Sequence, residues 1–242
     1  MNRENYNTSV LVEGCKKVGV TLTNTQIDQF LIYYEHLVEK NKVMNLTGIT
    51  EYEEVVLKHF VDSLSIAQAL DLKQYHSLID LGTGAGFPGL PLKIAFPHLQ
   101  VVLMDSLNKR INFLNEVIEM IGCENITAVH ARAEDAARRK EYREQFDLCV
   151  SRAVANLSTL SEYCIPLVKK GGMFISYKSK DIDEEIKSAK RAFFLLGGRQ
   201  KEKKEFYLPD SDIGRSFVMI QKEKETPKKY PRKAGVPVKE PL

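Results

Sequence analysis

His76-Ser77-Leu78-Ile79-Asp80-Leu81-Gly82-Thr83-Gly84-Ala85-Gly86-Phe87-Pro88-Gly89 is the stretch whose reading decides the fold. Leu78, Ile79 and Leu81 make a short apolar run of the kind that a parallel sheet covered on both faces buries. Asp80 stands near its carboxyl end. Gly82, Gly84 and Gly86 then allow positive φ and leave no side chain to block a ligand against the backbone. Pro88 suits a first helical turn, so the free N–H groups and positive dipole end of that helix are expected to face whatever occupies the turn. Strand, acid, glycine turn and helix together predict a nucleoside-cofactor site at the head of a parallel sheet.

Downstream, strand and helix patterns alternate. Leu99 to Met104 reads as a second strand ending at Asp105, and Lys109 to Ile121 as a helix with Ile111, Phe113, Leu114, Val117, Ile118 and Ile121 facing inward. Ile126 to His130 reads as a third strand, Phe146 to Val150 as a fourth ending at Ser151-Arg152, and Leu167 to Ser176 as a helix end, a tight Gly171-Gly172 turn and a fifth strand. Ile182 to Leu196 returns to helix, and Phe217 to Gln221 closes the pattern, with Lys201 to Leu208 as a partner for it. Such alternation implies a parallel sheet with right-handed crossovers.

Upstream, the chain to about Leu70 is helical. Thr23 to Gln26 has capping-box form, followed by Ile27, Phe30, Leu31, Tyr34, Leu37 and Val38 at helical spacing, and Thr50 to Glu53 repeats the box. The expected organisation is a helical extension over 1–70, a core over 71–225 and a basic, proline-spaced tail over 226–242. With 242 residues and 43% hydrophobic content the chain can bury a sizeable core. Its net charge of +3 is mild, but the segment after Gly198 is enriched in Lys and Arg. No apolar run reaches the roughly 18–20 residues of a membrane span, and the amino terminus has no signal-peptide pattern. Cys15, Cys123, Cys149 and Cys164 are widely spaced, which predicts buried reduced thiols in a cytoplasmic protein, and no metal site is expected.

Gly84-Ala85-Gly86-Phe87-Pro88-Gly89 formally matches the dinucleotide fingerprint, and Asp105 lies about twenty residues on, where a ribose-binding acid is expected. Glycines that merely let helix and strand pack closely would give the same pattern. Three features favour S-adenosylmethionine over a dinucleotide. Asp80 precedes the first glycine, where a carboxylate repels a pyrophosphate but suits an ammonium or a sulfonium. The spacing Gly82-x-Gly84-x-Gly86 is the one methyltransferases use. Leu167-Val168-Lys169-Lys170-Gly171-Gly172-Met173-Phe174 is similar to the entry into strand five of class I methyltransferases.

The chain also resembles one family closely. Asp80 to Gly89, Asp105-Ser106-Leu107-Asn108-Lys109-Arg110, Ser151-Arg152-Ala153-Val154-Ala155 and Pro231 to Leu242 resemble the RsmG family, also called glucose-inhibited division protein B. So do Asn45 to Ile49 and His59 with Asp62-Ser63-Leu64, and the likeness runs from about Gly19 to the carboxyl end. Tyr177-Lys178-Ser179 departs from it, where an apolar residue before Lys and Gly after it are expected. The resemblance implies a Rossmann-like class I S-adenosylmethionine-dependent methyltransferase sheet, mostly parallel, of about seven strands with an antiparallel closing strand, and an N-terminal helical extension. It further implies formation of 7-methylguanosine in the 530 loop of 16S rRNA, on the bacterial small subunit or its assembly intermediate, with S-adenosylhomocysteine as product.

On this reading Gly82, Gly84 and Gly86 admit the methionine part of the cofactor, and Asp80 either holds its amino group or orders the loop. Asp105 accepts the ribose hydroxyls, Ser106 and Leu107 border the adenosine, and Ala133-Glu134 present the adenine edge. Phe87 packs on the cofactor or on the helical extension. Arg152 fixes the methionine carboxylate or an RNA phosphate. His59 and Asp62 share a helix face, as a base–acid pair or as a structural contact. Arg152 and His59 are the candidates for a direct part in catalysis, although guanine N7 carries a free lone pair and requires no base. For RNA the candidates are Lys109, Arg110, Arg132, Arg138, Arg139, Lys169, Lys170, Lys178 and, in the tail, Lys228, Lys229, Arg232 and Lys233. The tail's charge is expected to serve phosphates rather than a core, the target to be single-stranded or locally opened, and the protein to act as a monomer. A methyltransferase for another substrate and a non-catalytic ribosome-assembly factor are the competing readings.

Overall fold

The computed structural model describes residues 6–152 and 155–242; Ala153 and Val154 of the Ser151–Ala155 motif lie outside the described residues. Helix α1 (Thr8–Lys17) leads to α2 (Asn24–Met44), which opens on the predicted capping box: the Gln26 N–H donates to the Thr23 hydroxyl and the Thr23 N–H to the Gln26 side chain. The Gln26 amide also donates to the carbonyls of Ile94 and Ala95, at 2.8 and 3.2 Å, so the start of α2 satisfies the end of a helix far away in sequence. The next helical run comprises α3 (Tyr52–Val55), a π-helical turn (Val56–Val61) and α4 (Asp62–Leu64). The second capping box is not formed. Glu51, not Thr50, holds the N-cap position and caps nothing with its side chain, so Thr50 stands one residue too early; its carbonyl accepts from the Tyr34 hydroxyl instead.

The alternating half builds a single seven-stranded sheet. In chain order it comprises β1 (Ser77–Leu81), α5 (Gly89–Ala95), β2 (Gln100–Asp105), α6 (Asn108–Ile121), β3 (Ile126–His130), α7 (Ala133–Ala136), β4 (Phe146–Ser151), α8 (Leu157–Cys164), β5 (Val168–Ser179), α9 (Asp183–Leu195), β6 (Gly198–Tyr207) and β7 (Gly214–Lys222). The strand order is β3-β2-β1-β4-β5-β7-β6. The first five strands run parallel, β7 is antiparallel to β5, and β6 antiparallel to β7. Side chains alternate across the sheet: Leu78 joins the core shared with α2, α5 and α6, whereas Ile79 and Leu81 join the core under α8 and α9. Strand order reverses between β1 and β4, and in open α/β sheets ligands bind at the carboxyl ends of the strands there.

Three local outcomes differ from the pattern. Of helix α8 the pattern shows only the end before β5, because Ser158, Thr159 and Ser161 mask the apolar period over the rest; the Asn156 side chain caps it by accepting from the Thr159 N–H at 2.9 Å. Gly171 and Gly172 make no turn but lie inside β5, where the pairing with β4 is irregular. Gly171 has φ +88, and a Cβ at Gly172 would stand 2.5 Å from the Asp147 carbonyl, so the glycines permit a bulge and a close strand approach. The tail does not stay extended: it folds onto the core, ends in α10 (Val236–Lys239), and buries Tyr230 and Pro237. The Tyr177 departure is accommodated within β5, where the ring packs edge-on to Phe217 and its buried hydroxyl donates to the Ser63 carbonyl at 2.9 Å.

Asp147 ties the start of β1 to its neighbours. Its carboxylate accepts from the N–H groups of His76 and Ser77 and from the Ser77 hydroxyl, and it pairs with Lys169. Burial raises its pKa, but Lys169 and those donors outweigh burial and hold it at about 2. The contribution to stability is therefore complete above the unfolded value of 3.8 and is lost as pH falls towards 2. Asp147→Asn is expected to lower unfolding free energy at pH 7 by on the order of 2 kcal/mol. Urea titrations at several pH values should also show a shallower acid dependence than the parent.

Candidate functional site

Asp80 organises the glycine turn. It is fully buried, and its Oδ2 accepts from the Thr83 hydroxyl and from the Gly89 N–H, each at 2.7 Å. Helix α5 begins at Gly89 with Pro88 at its N-cap position, so its first N–H serves Asp80 and not a ligand, contrary to the sequence expectation. Of the two roles read for Asp80, ordering the loop is the one these bonds perform. Its Oδ1 is buried without a hydrogen-bond partner. Burial pushes its pKa up to about 6, against Thr83, Gly89 and Arg152, which pull it down.

The turn then runs along the carboxyl ends of β1 and β2. Asp105 is buried; its Oδ2 accepts from the Gly84 N–H at 3.0 Å and from Arg110 at 3.1 Å, and its Oδ1 from the Leu107 N–H at 2.9 Å. Gly84 has φ +62, and a Cβ there would meet nothing within 4 Å; at Gly86 it would run into the Tyr33 hydroxyl and Leu114. Gly84 thus faces open space and Gly86 faces the helical extension, whose Tyr33 hydroxyl donates to the Ala85 carbonyl.

Phe87 carries the turn to the π-helical segment. His59 stacks on its ring at 4.6 Å between centroids, and the Arg152 guanidinium lies 5.0 Å above the same ring. Arg152 donates to Asp62 Oδ2 at 3.0 Å and to the Lys58 carbonyl, while Arg215 donates to Asp62 Oδ1 at 3.1 Å. His59 and Asp62 do not bond to each other; His59 Nε2 meets the Thr47 hydroxyl at 2.8 Å. Burial and the Arg152 charge lower the His59 pKa to about 4, which makes the ring neutral at pH 7.

A cavity of about 800 Å³ occupies this position. Gly82, Gly84, Phe87, Asp105, Ser106, Ala133, Glu134 and Arg152 line it, as do His59, Arg110 and Arg132. Asp80, Gly86 and Leu107 stand behind or beside it, Leu107 being 43% exposed at the start of α6. Leu46, Thr47, Ala155, Leu160, Tyr163, Ala234 and Gly235 also contribute, although sequence reasoning gave them no part. Only the family-like stretches Asn45 to Ile49, Ser151 to Ala155 and Pro231 to Leu242 hinted at five of them. A second, polar cavity of about 530 Å³ adjoins it, lined by Lys58, Asp62, Tyr177, Lys178, Glu185 and Arg215, and His59 and Arg152 line both.

The basic candidates for RNA divide by what they already hold. Lys109, Arg132, Arg139, Lys169, Lys170, Lys228, Lys229 and Lys233 are exposed, although Lys109 reaches the Met44 carbonyl at 3.3 Å and Lys169 pairs with Asp147. Arg110 is bonded to Asp105, Lys178 to Glu185 and the Ala155 carbonyl, and Arg138 to the Pro231 carbonyl. Arg232 forms a forked pair with Glu162, a fully buried acid, so this tail charge does serve the core, against expectation. Among the described residues no group of three or more His, Cys, Asp or Glu side chains is arranged to hold a metal ion.

The residues present suit S-adenosylmethionine. The volume falls within the roughly 300–1,000 Å³ of small-molecule sites. Gly84 opens onto it, Asp105 lies at its floor, and Leu81, Met104, Ala131 and Leu160 give apolar walls for an adenine ring.

Two measurements check this geometry. Since unfolded histidine titrates near 6.5 and His59 near 4, stability is complete above 6.5 and declines as pH drops towards 4. NMR should place the His59 imidazole titration near 4, and a midpoint at 6.5 would contradict the buried packing. Gly89→Ala would put a Cβ 2.5 Å from Leu103 and 2.7 Å from Asp80 Cβ. It is expected to cost about 1–3 kcal/mol in chemical denaturation and to loosen the turn.

The sequence model of the family rRNA small subunit methyltransferase G (GidB) matches residues 26–213. The ribosomal RNA small subunit methyltransferase G of Lachnoclostridium phytofermentans is 55% identical to the chain over 234 residues, 97% of each protein. That of Alkaliphilus metalliredigens is 50% identical over 96% of this chain and 98% of its own, and that of Bacillus subtilis 48% identical over 98% and 99%. The chain belongs to the rRNA small subunit methyltransferase G family.

Proposed function

We propose that this protein transfers a methyl group from S-adenosylmethionine to guanine N7, forming 7-methylguanosine in the 530 loop of 16S rRNA, as a cytoplasmic monomer acting on the small subunit or its assembly intermediate. The observation that carries the reading is the cavity at the strand-order reversal, floored by Asp105 and opened by Gly84, in a chain of this family. Among the described residues no helix is long and apolar enough to cross a membrane.

Bound S-adenosylmethionine supplies an electrophilic methyl on a positive sulfonium. The protein's task is then alignment. Gly82 and Gly84 let the methionine part lie against the backbone, and Asp80 keeps their turn in shape from behind. Asp105 receives the ribose; a carboxylate has about four lone-pair sites, so Arg110, at the rim, is the partner that yields. Glu134 and the apolar wall hold the adenine end. Guanine enters from the polar cavity, where Lys58, Lys178 and Arg215 attract the backbone phosphates. His59, Phe87 and Arg152 form the partition between the two cavities and orient the base towards the methyl. Neutral His59 need not take a proton, because N7 carries none.

The decisive experiment is incubation with labelled S-adenosylmethionine and unmodified small-subunit particles, followed by mapping of the modified base. Label at a guanine N7 in the 530 loop is the expected result. Normal cofactor binding without transfer to any RNA would favour the assembly-factor reading. A general base contributes about 10²- to 10⁴-fold, so His59→Ala should reduce turnover by less than about tenfold with unchanged cofactor affinity. Abolished turnover at normal affinity would contradict an alignment mechanism.

A further inference from the structure

Methyl transfer as derived above makes no use of residues 226–242, yet they are bonded to the core along their length. The Arg143 guanidinium donates to the carbonyls of Thr226 and Tyr230 at 2.7 and 2.9 Å, and Arg138 donates to that of Pro231. The Arg232 fork grips Glu162 at 2.7–3.1 Å, and its backbone N–H adds a further bond to the same acid. The Thr159 hydroxyl then donates to the Pro237 carbonyl at 2.8 Å and the Ser158 hydroxyl to that of Leu242 at 3.0 Å. A fully buried glutamate needs a charged, hydrogen-bonded partner; a tail that only visits phosphates would not be given one inside α8.

Between these anchors the chain crosses the mouth of the large cavity. Ala234 and Gly235 line it, and the Gly235 N–H donates to Glu134 Oε1 at 3.2 Å. Gly235 has φ +83, a backbone conformation that favours glycine, while a Cβ there would meet nothing within 4 Å. Tyr163 faces the same end; burial and the Glu134 and Glu162 carboxylates push its pKa up to about 12. Without this crossing, the end of the cavity lined by Glu134 and Tyr163 would open to solvent.

We propose that residues 232–236 form the outer wall of the cofactor cavity and set the affinity for S-adenosylmethionine, with Arg232 as the positioning residue that holds the wall through Glu162. The inference rests on the reading of this cavity as the S-adenosylmethionine site. The wall keeps water from the apolar faces of the bound nucleoside and fixes Glu134, whose carboxylate it engages. Loss of the fork strands Glu162 and lets the segment lift, so the ligand is held from one side only.

Calorimetric titration with S-adenosylhomocysteine tests this on the full chain and on Arg232→Ala, Arg232→Lys and Arg232→Ala/Glu162→Gln, the last removing the stranded charge. Both alanine-containing variants are expected to bind at least roughly tenfold more weakly, and Arg232→Lys, which keeps the charge but loses the fork, to fall between them and the parent. A cooperative melt without ligand shows that each variant is folded. Affinity within about twofold of the parent in the folded double variant would overturn the wall. Hydrogen exchange on the unaltered chain gives a second reading that needs no variant: S-adenosylhomocysteine should slow exchange over 230–236, and unchanged exchange there at saturation would overturn the proposal. Failure of the unaltered chain to bind S-adenosylhomocysteine would instead remove the functional reading itself.

Discussion

The site depends on one buried carboxylate. Asp80 Oδ2 holds the Thr83 hydroxyl and the Gly89 N–H together, joining the end of β1, the turn and the first residue of α5. A helix of only 7 residues has little propensity-driven stability of its own, so the acid at its N-terminus and the packing of its apolar face fix where it starts. Because its start sets the path of residues 82–88, the same bonds set the direction in which Gly84 opens. A buried acid with one unpartnered oxygen is costly, and the fold tolerates that cost where a turn must keep one shape.

The helical extension is part of this arrangement rather than an appendage to it. Tyr33 from α2 reaches the turn's Ala85 carbonyl, and Phe60 and Tyr33 pack around Phe87. The π-helical turn shifts the phase of the helix just where His59 must stack on Phe87 while Asp62 meets two arginines, and such turns are often found at functional positions. Arg152, directly after β4, thereby links the sheet's carboxyl edge to the extension. Two cavities meet at these residues because the extension closes one side of each.

The carboxyl-terminal segment reaches the large cavity from elsewhere in the chain, through Ala234 and Gly235. Prolines and lysines make it look like a solvated arm, but Arg232 and the carbonyls of Thr226, Tyr230 and Pro231 are all used inside the molecule. Exposed among the candidates, and not tied to a carboxylate or to the tail, are Lys109, Arg132, Arg139, Lys170, Lys228, Lys229 and Lys233. Charge counted along a sequence therefore overstates the charge offered to RNA.

Local signals carried the fold a long way. The apolar runs at Leu78, Leu99, Ile126, Phe146 and Phe217 all became strands, because an interior strand buried on both faces needs an unbroken apolar run; β3, at the sheet edge, is only partly buried. The Thr23 box formed because both of its partners are within four residues. Asp80, the glycines and Asp105 were legible since their spacing is a property of the chain alone. The direction of each side chain was not. That Arg152 turns to Asp62, Gly86 to Tyr33 and Arg232 to Glu162 depends on partners between about fifty and ninety residues away, and only the packed sheet brings them into contact.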